Sequence, residues 1–385
     1  MKSSSFTIGV SLAVAGVAAA ALLVRPPTTP ERTAAAATPT NANANGNAAT
    51  APTIAIDPND PSVKGVTAKN AAGNMIAGLG VGPSAALPSK SGARAFSIDV
   101  LAVASWGDGP TDLGRVRPSQ ANPEAPMSLA VDELGNVFVL DQVNERVQMF
   151  PSNGAARGVT SIKIPSRTAQ DLVVDPAGGL VLLDRLVDQA LIFVDAKGVE
   201  KKRVPVVGAG VQEGGGVTSL FAAADGFWVE VDHTNLVRVA LPNGDADPTR
   251  PALEGRRTTV GGPLLRAARD PSGFAVISAI GNGGYLVRVP FKAPVLELNA
   301  LDADAAGNVY VAAHLAREMP VAPFSLYDQT IEVVALDRSG AELGRFEFPA
   351  PYAEEEQFKP IAIGKDGAVY HLEIGASAAT LRRAK

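Results

Sequence analysis

From residue 93 to its C-terminus the chain alternates short apolar runs with turn residues, and one pattern recurs along it. Pro126 to Asp141 reads PMSLAVDELGNVFVLD, Ala169 to Asp184 reads AQDLVVDPAGGLVLLD, and Val217 to Asp232 reads VTSLFAAADGFWVEVD. Weaker copies begin at Pro263, Leu298 and Lys359. Each copy joins two strand-like runs through Asp-x-x-Gly or Asp-Gly. The aspartate can bond the turn backbone, and the glycine takes the positive φ that a tight hairpin demands. The turn glycines, Gly135, Gly178, Gly226, Gly273, Gly307 and Gly367, stand 34 to 60 residues apart. That spacing fits one four-stranded blade per unit, and no helical periodicity lies between the units to support a parallel α/β sheet. The pattern predicts an all-β, six-bladed β-propeller.

The two ends of this region predict how the ring closes. After Gly367 the chain has a strand to Ile374 and then Ala379-Thr-Leu-Arg-Arg, which supplies only a third strand of the last blade. The run Phe96-Ser-Ile-Asp-Val-Leu-Ala-Val-Ala precedes the first blade and has no blade of its own. Pairing the two would make the N-terminal run the outer strand of blade six and leave no central edge exposed. The shortest interval, after Gly273, predicts a shortened outer strand in blade four.

Ahead of the repeats, Phe6 to Val24 is an apolar run set between Lys2 and Arg25, at the border between a signal-peptide core and a spanning helix. Leu22, Leu23 and Val24 carry the run past the small residues Ala18 and Ala20, which favours an uncleaved anchor over a cleaved signal peptide. Residues 26–92 are rich in Ala, Thr, Pro and Asn and bury little, as expected of a disordered linker. The expected order is therefore a signal anchor or signal peptide at 1–25, a tether at 26–92 and the propeller at 93–385. Such a protein is exported, periplasmic or extracellular, and tethered to the cytoplasmic membrane through residues 6–24.

Composition narrows the partners. The chain is 46% hydrophobic but only 5% aromatic, so its core must be aliphatic. With no cysteine it can form neither a disulfide scaffold nor a thiolate metal site. A formal net charge of −5 offers no basic footprint, and nucleic acid is excluded as a partner.

The first unit is the sharpest. Ser105-Trp-Gly-Asp-Gly, then the run from Pro126 to Asp141, then Asn144-Glu-Arg-Val-Gln-Met-Phe resembles the NHL-repeat consensus, and the resemblance spans residues 95–385. It implies an NHL-type six-bladed propeller whose loops after each second strand open onto one face around the central channel. It implies far less about function.

Six residues past each turn glycine stand Asp141, Asp184, Asp232, Ala279, Ala313 and Glu373, and one residue further come Arg185, His233 and His314. These acids, with Arg185, His233 and His314, are the candidate ligand-binding rim. Two readings of the acids stay open. As in NHL repeats generally, an aspartate here can hold the amides of the following loop. Alternatively, the acids form a ring that focuses negative potential at the channel mouth, where Ca²⁺ would be the natural ion. Histidines could instead hold Zn²⁺, as in the amidating lyases whose fold this one resembles. An insertion from His314 to Asp328 predicts an interaction loop carrying Arg317, Phe324 and Tyr327. No catalytic set assembles, no cofactor is assigned, and nothing specifies an oligomeric state. The expected function is a binding module for a protein, peptide or glycan in the bacterial envelope; the alternative is a Ca²⁺- or Zn²⁺-dependent lyase or lactonase using the channel.

Overall fold

A computed structural model describes residues 94–155, 158–258, 262–270, 273–281, 284–350 and 353–385. The expected anchor at 1–25 and linker at 26–92 lie outside the described residues. Among the described residues no helix is long and apolar enough to cross a membrane.

Among the described residues, twenty-three strands form six sheets arranged as blades. Strand β1 (Ile98–Ser105) comes first. Blade one follows with β2 (Ser128–Val131), β3 (Val137–Asp141), β4 (Arg146–Phe150) and β5 (Thr160–Lys163). Blade two holds β6 (Asp171–Val174), β7 (Leu180–Asp184), β8 (Ala190–Val194) and β9 (Glu200–Pro205). Blade three holds β10 (Val217–Ala223), β11 (Gly226–Val231), β12 (Asn235–Ala240) and β13 (Ala252–Glu254), and blade four β14 (Leu264–Asp270), β15 (Phe274–Ile280) and β16 (Tyr285–Pro290). Blade five holds β17 (Val295–Ala303), β18 (Val309–Glu318), β19 (Leu326–Leu336) and β20 (Glu342–Pro349), and blade six β21 (Ile361–Ile363), β22 (Val369–Ile374) and β23 (Ala378–Ala384). All pairings within the blades are antiparallel. The fold is a six-bladed β-propeller.

The hairpin turns behave as their chemistry requires. In blade one, Asp132 accepts bonds from the backbone N–H groups of Leu134 at 2.9 Å and Asn136 at 2.8 Å, while Gly135 takes φ 78°. An L side chain at that φ would be strained, so glycine ends the turn.

Closure follows the expectation. Strand β1 is the outer strand of blade six and runs antiparallel to β23, from Ile98 opposite Ala384 to Ser105 opposite Ala378. Ser97 and Lys385 extend the ladder with reciprocal backbone bonds of 2.9 and 3.0 Å. Leu101 and Ala104 point into a core shared with Leu372, Leu381 and blade one. Val100 and Val103 face solvent on the free edge, which a bulge between Val100 and Ala102 interrupts. Blade four departs from expectation: its described residues form three strands, not four with a short one. Only four residues separate β16 from β17, too few to form and return from an outer strand.

Buried aliphatic clusters join blade six to one, one to two, two to three, four to five and five to six. Among the described residues no such cluster spans blades three and four. There Arg256, on the chain returning from β13, exchanges backbone bonds of 2.6 and 2.7 Å with Leu265 of β14.

Candidate functional site

The expected rim does not form a ring of ligand-ready acids. Asp141 is fully buried and accepts bonds from the Gly114 amide at 2.8 Å, Asn144 Nδ2 at 2.9 Å and Arg146 Nε at 2.8 Å. Asp184 is equally buried and accepts from the amides of Val187 at 3.0 Å and Asp188 at 3.2 Å, from the Ser166 hydroxyl at 3.2 Å and from Thr168. A buried carboxylate needs such partners, and with its lone pairs committed to the loop it has little left for a ligand. Asp184 holds the amides of the loop that follows it, whereas Asp141 takes the Gly114 amide from the chain ahead of blade one together with the Asn144 and Arg146 side chains. Arg185 next to Asp184 donates to the Gly215 and Val217 carbonyls at 2.8 and 3.1 Å and lies 4.9 Å from the Phe358 ring centroid, tying blade two to three.

Blade three breaks the count. Gly226 already belongs to strand β11, whereas Gly135, Gly178 and Gly367 sit two residues ahead of theirs. Counting from the glycine therefore overshoots the strand end. Asp232 and His233 fall in a tight turn with φ 51° and 54° and are exposed. Glu373 is inside β22 and pairs with Arg382 of the next strand at 2.6 Å. His314 is inside β18 and bonds Gln329 at 3.1 Å through Nε2. The supposed loop from His314 to Asp328 is largely a β-ribbon, because β18 and β19 pair as far as Arg317 with Tyr327 and Glu318 with Leu326. Arg317 forms a 3.3 Å ion pair with Asp328, and Phe324 and Tyr327 are exposed at the tip.

The channel itself encloses about 180 Å³. Its wall is aliphatic where the innermost strands supply Leu129, Val173, Leu220, Leu301 and Ile361, and polar toward Thr218, His233, Arg256, Glu297 and Asn299. Arg256 of that wall is paired with the buried Glu230, and neither was among the sequence candidates. Arg256 donates to Glu230 at 2.6 and 2.8 Å, and Thr218 donates to the same carboxylate at 2.9 Å. His233 Nδ1 is 3.6 Å away. Burial pushes the Glu230 carboxyl up, but the Arg256 charge and the bonds from His233, Arg256 and Thr218 outweigh it and hold the carboxyl well below the usual carboxylate range. The signal that could have found it is an acid in the interior of an apolar strand, FWVEV, which has to meet a cation somewhere. On the opposite face, where the Asp-Gly hairpins lie, the channel widens into a vestibule of about 910 Å³ rimmed by Leu134, Pro176, Asp225 and Arg257.

No protein-family model matches the chain, and the search among curated proteins returned no match. Solved structures similar to it include a streptogramin B lyase at 12% identity, TM-score 0.37, covering 75% of this chain and 97% of the other. A DUF4221-family member from Bacteroides vulgatus is similar at 10% identity and TM-score 0.44, covering 77% and 99% respectively. A gluconolactonase from Xanthomonas campestris is similar at 15% identity and TM-score 0.37, covering 79% and 98%. The blade count and the closure rest on the strand pairings described above.

Among the described residues no three His, Asp or Glu side chains are grouped so as to hold a metal ion. His233 stands at the channel with Glu230, while His314 is engaged in the ribbon. The donor sets expected for Ca²⁺ or Zn²⁺ do not assemble from these residues.

Proposed function

We propose that the chain is an exported NHL-type propeller, tethered to the membrane by residues 6–24 through the 26–92 linker, that binds a protein or peptide partner in the bacterial envelope through its blade-five ribbon. The observation that carries this reading is the ribbon tip. From Met319 to Tyr327 the sequence MPVAPFSLY holds no charge. Five large apolar side chains are exposed there: Met319 at 43%, Val321 at 63%, Phe324 at 54%, Leu326 at 37% and Tyr327 at 46%. A projecting apolar tip is unfavourable in water unless it docks, and aromatic and methionine side chains are what interface cores use. The apolar character favours a protein or peptide over a glycan, and the flanking Arg317–Asp328 pair adds a polar rim.

The test places a photo-crosslinking residue at Val321 in cells and, as control, at Leu134 on the hairpin face. A discrete adduct from position 321 that disappears in the Phe324→Ser/Tyr327→Ser variant supports the reading. No adduct at 321, or the same adduct from 134, overturns it.

The enclosed channel with Glu230, Arg256 and His233 favours a second reading, a lyase or lactonase acting there. A thermal shift on adding Zn²⁺ or Ca²⁺ would support that reading, and its absence in metal-free protein would count against it.

A further inference from the structure

A second cavity, of about 160 Å³, lies between blades five and six. Glu297 and Asn299 of β17 border both it and the channel. Its apolar wall comes from Ile331, Pro349, Ala353, Pro360 and Ile374, and its floor includes His371 of β22. More of its exposed lining is polar than apolar, so a ligand there would be held chiefly through its polar groups, with a few apolar side chains to receive a short carbon skeleton.

The polar groups are of two kinds. Glu355 and Glu373 are spoken for, the first by Arg115 and Arg117 at 2.6 Å each and the second by Arg382 at 2.6 Å. Glu297, Asn299 and His371 are not. Glu297, an exposed side chain at the mouth, has no ion pair among the described residues. Asn299 Oδ1 and His371 Nδ1 are buried with no hydrogen-bond partner. His371 is only 3% exposed and stacks at 5.0 Å on Phe348. Leaving buried polar atoms unmade costs on the order of 1–3 kcal/mol each, so each such atom in a folded protein calls for a partner.

All three can accept. Glu297 is a carboxylate, Asn299 presents its carbonyl oxygen, and a neutral imidazole protonated at Nε2 presents the Nδ1 lone pair. A primary ammonium group has donors only and carries the charge that offsets Glu297. We infer that the cavity between blades five and six binds a small organic ligand with a primary ammonium group, seated on Glu297, Asn299 and His371, its carbon skeleton against Ile331, Pro349 and Ile374. The site is separate from the ribbon, so its failure leaves the proposed docking role untouched.

The test uses cyclohexylamine, with cyclohexanol as the neutral isostere, on the full propeller. The expected result is saturable binding of the amine seen by NMR at the His371 ring, with imidazole nitrogen shifts of the Nε2–H tautomer. The alcohol should bind at least tenfold more weakly, and Glu297→Gln should lose at least tenfold in amine affinity with its thermal midpoint unchanged. Equal binding of amine and alcohol overturns the inference, as does an Nδ1–H tautomer or amine binding indifferent to Glu297→Gln. Absence of any binding by either probe overturns it as well and leaves a pocket holding water alone. Asn299→Leu, which removes an acceptor without adding charge, is the second variant and should weaken the amine in the same direction.

Discussion

Glu230 in blade three and His371 in blade six each place a polar side chain in a second strand, and both side chains are buried. Arg256 and Thr218 meet the first with bonds of 2.6 to 2.9 Å. The second has no partner at Nδ1. The two also differ in charge state. Glu230 stays ionised because a guanidinium was brought to it, whereas burial first and the Arg382 charge second lower the His371 pKa to about 3, leaving a neutral ring. A buried polar group that the chain satisfies is a structural joint, here at the junction between blades three and four. One that the chain leaves unmet, beside a cavity, is where a ligand can supply the missing bond.

The sharpest way to break this comparison is to leave the joint half made. Glu230→Leu strands the Arg256 guanidinium in the blade three–four junction, and breaking a buried pair from one side typically costs about 3–5 kcal/mol. The double variant Glu230→Leu/Arg256→Met removes both charges and should recover most of that loss. Urea midpoints of the two variants check it. If the single variant costs no more than the double, the pair is not the junction's joint.

The next test carries the comparison to the rim. Asp184→Ala leaves the amides of Val187 and Asp188 and two hydroxyls without their acceptor, an expected loss of about 1–3 kcal/mol. Asp232→Ala, at the position that the glycine count treats as equivalent, removes an exposed carboxylate and should stay within about 0.5 kcal/mol. Equal effects would mean that the two positions share a role after all. Thermal unfolding of the two variants side by side measures the difference.

The architecture was legible because it is written in local chemistry repeated six times: aspartate and glycine at hairpins, aliphatic alternation in strands, and a spare strand at Phe96–Ala104. The rim was legible only in part, because a count along the chain assumes equal turns. Blade three shortens its first hairpin and starts its strand at Gly226, which shifts Asp232 and His233 off the shared position. The ribbon was read as a loop because Pro320 and Pro323 dominate the sequence there, while the pairing that extends β18 and β19 is a property of two strands together. Glu230–Arg256 and the blade five–six cavity depend on residues 26 and more than 70 positions apart, and no period in the sequence brings them together.

The smallest effect separates the two buried groups by pH. His371 has an ordinary imidazole pKa of 6.5 when unfolded and about 3 when folded, so the unfolded chain binds the extra proton between those values. Its contribution is therefore complete above pH 6.5 and is lost as pH falls toward 3, at no more than about 1.4 kcal/mol per pH unit. The Glu230 carboxyl is also lowered on folding, but by a paired charge and hydrogen bonds that outweigh burial, and its contribution fades only as pH falls through the ordinary carboxylate range and below. Between pH 6.5 and 5 the histidine acts without that carboxyl. His371→Phe keeps an aromatic ring against Phe348 and removes the titration. Over that window the parent protein should lose about 1.5 kcal/mol more than the variant in urea unfolding. Parallel losses would show that the imidazole takes up its proton inside the folded propeller, and the neutral acceptor on which the cavity depends would be gone.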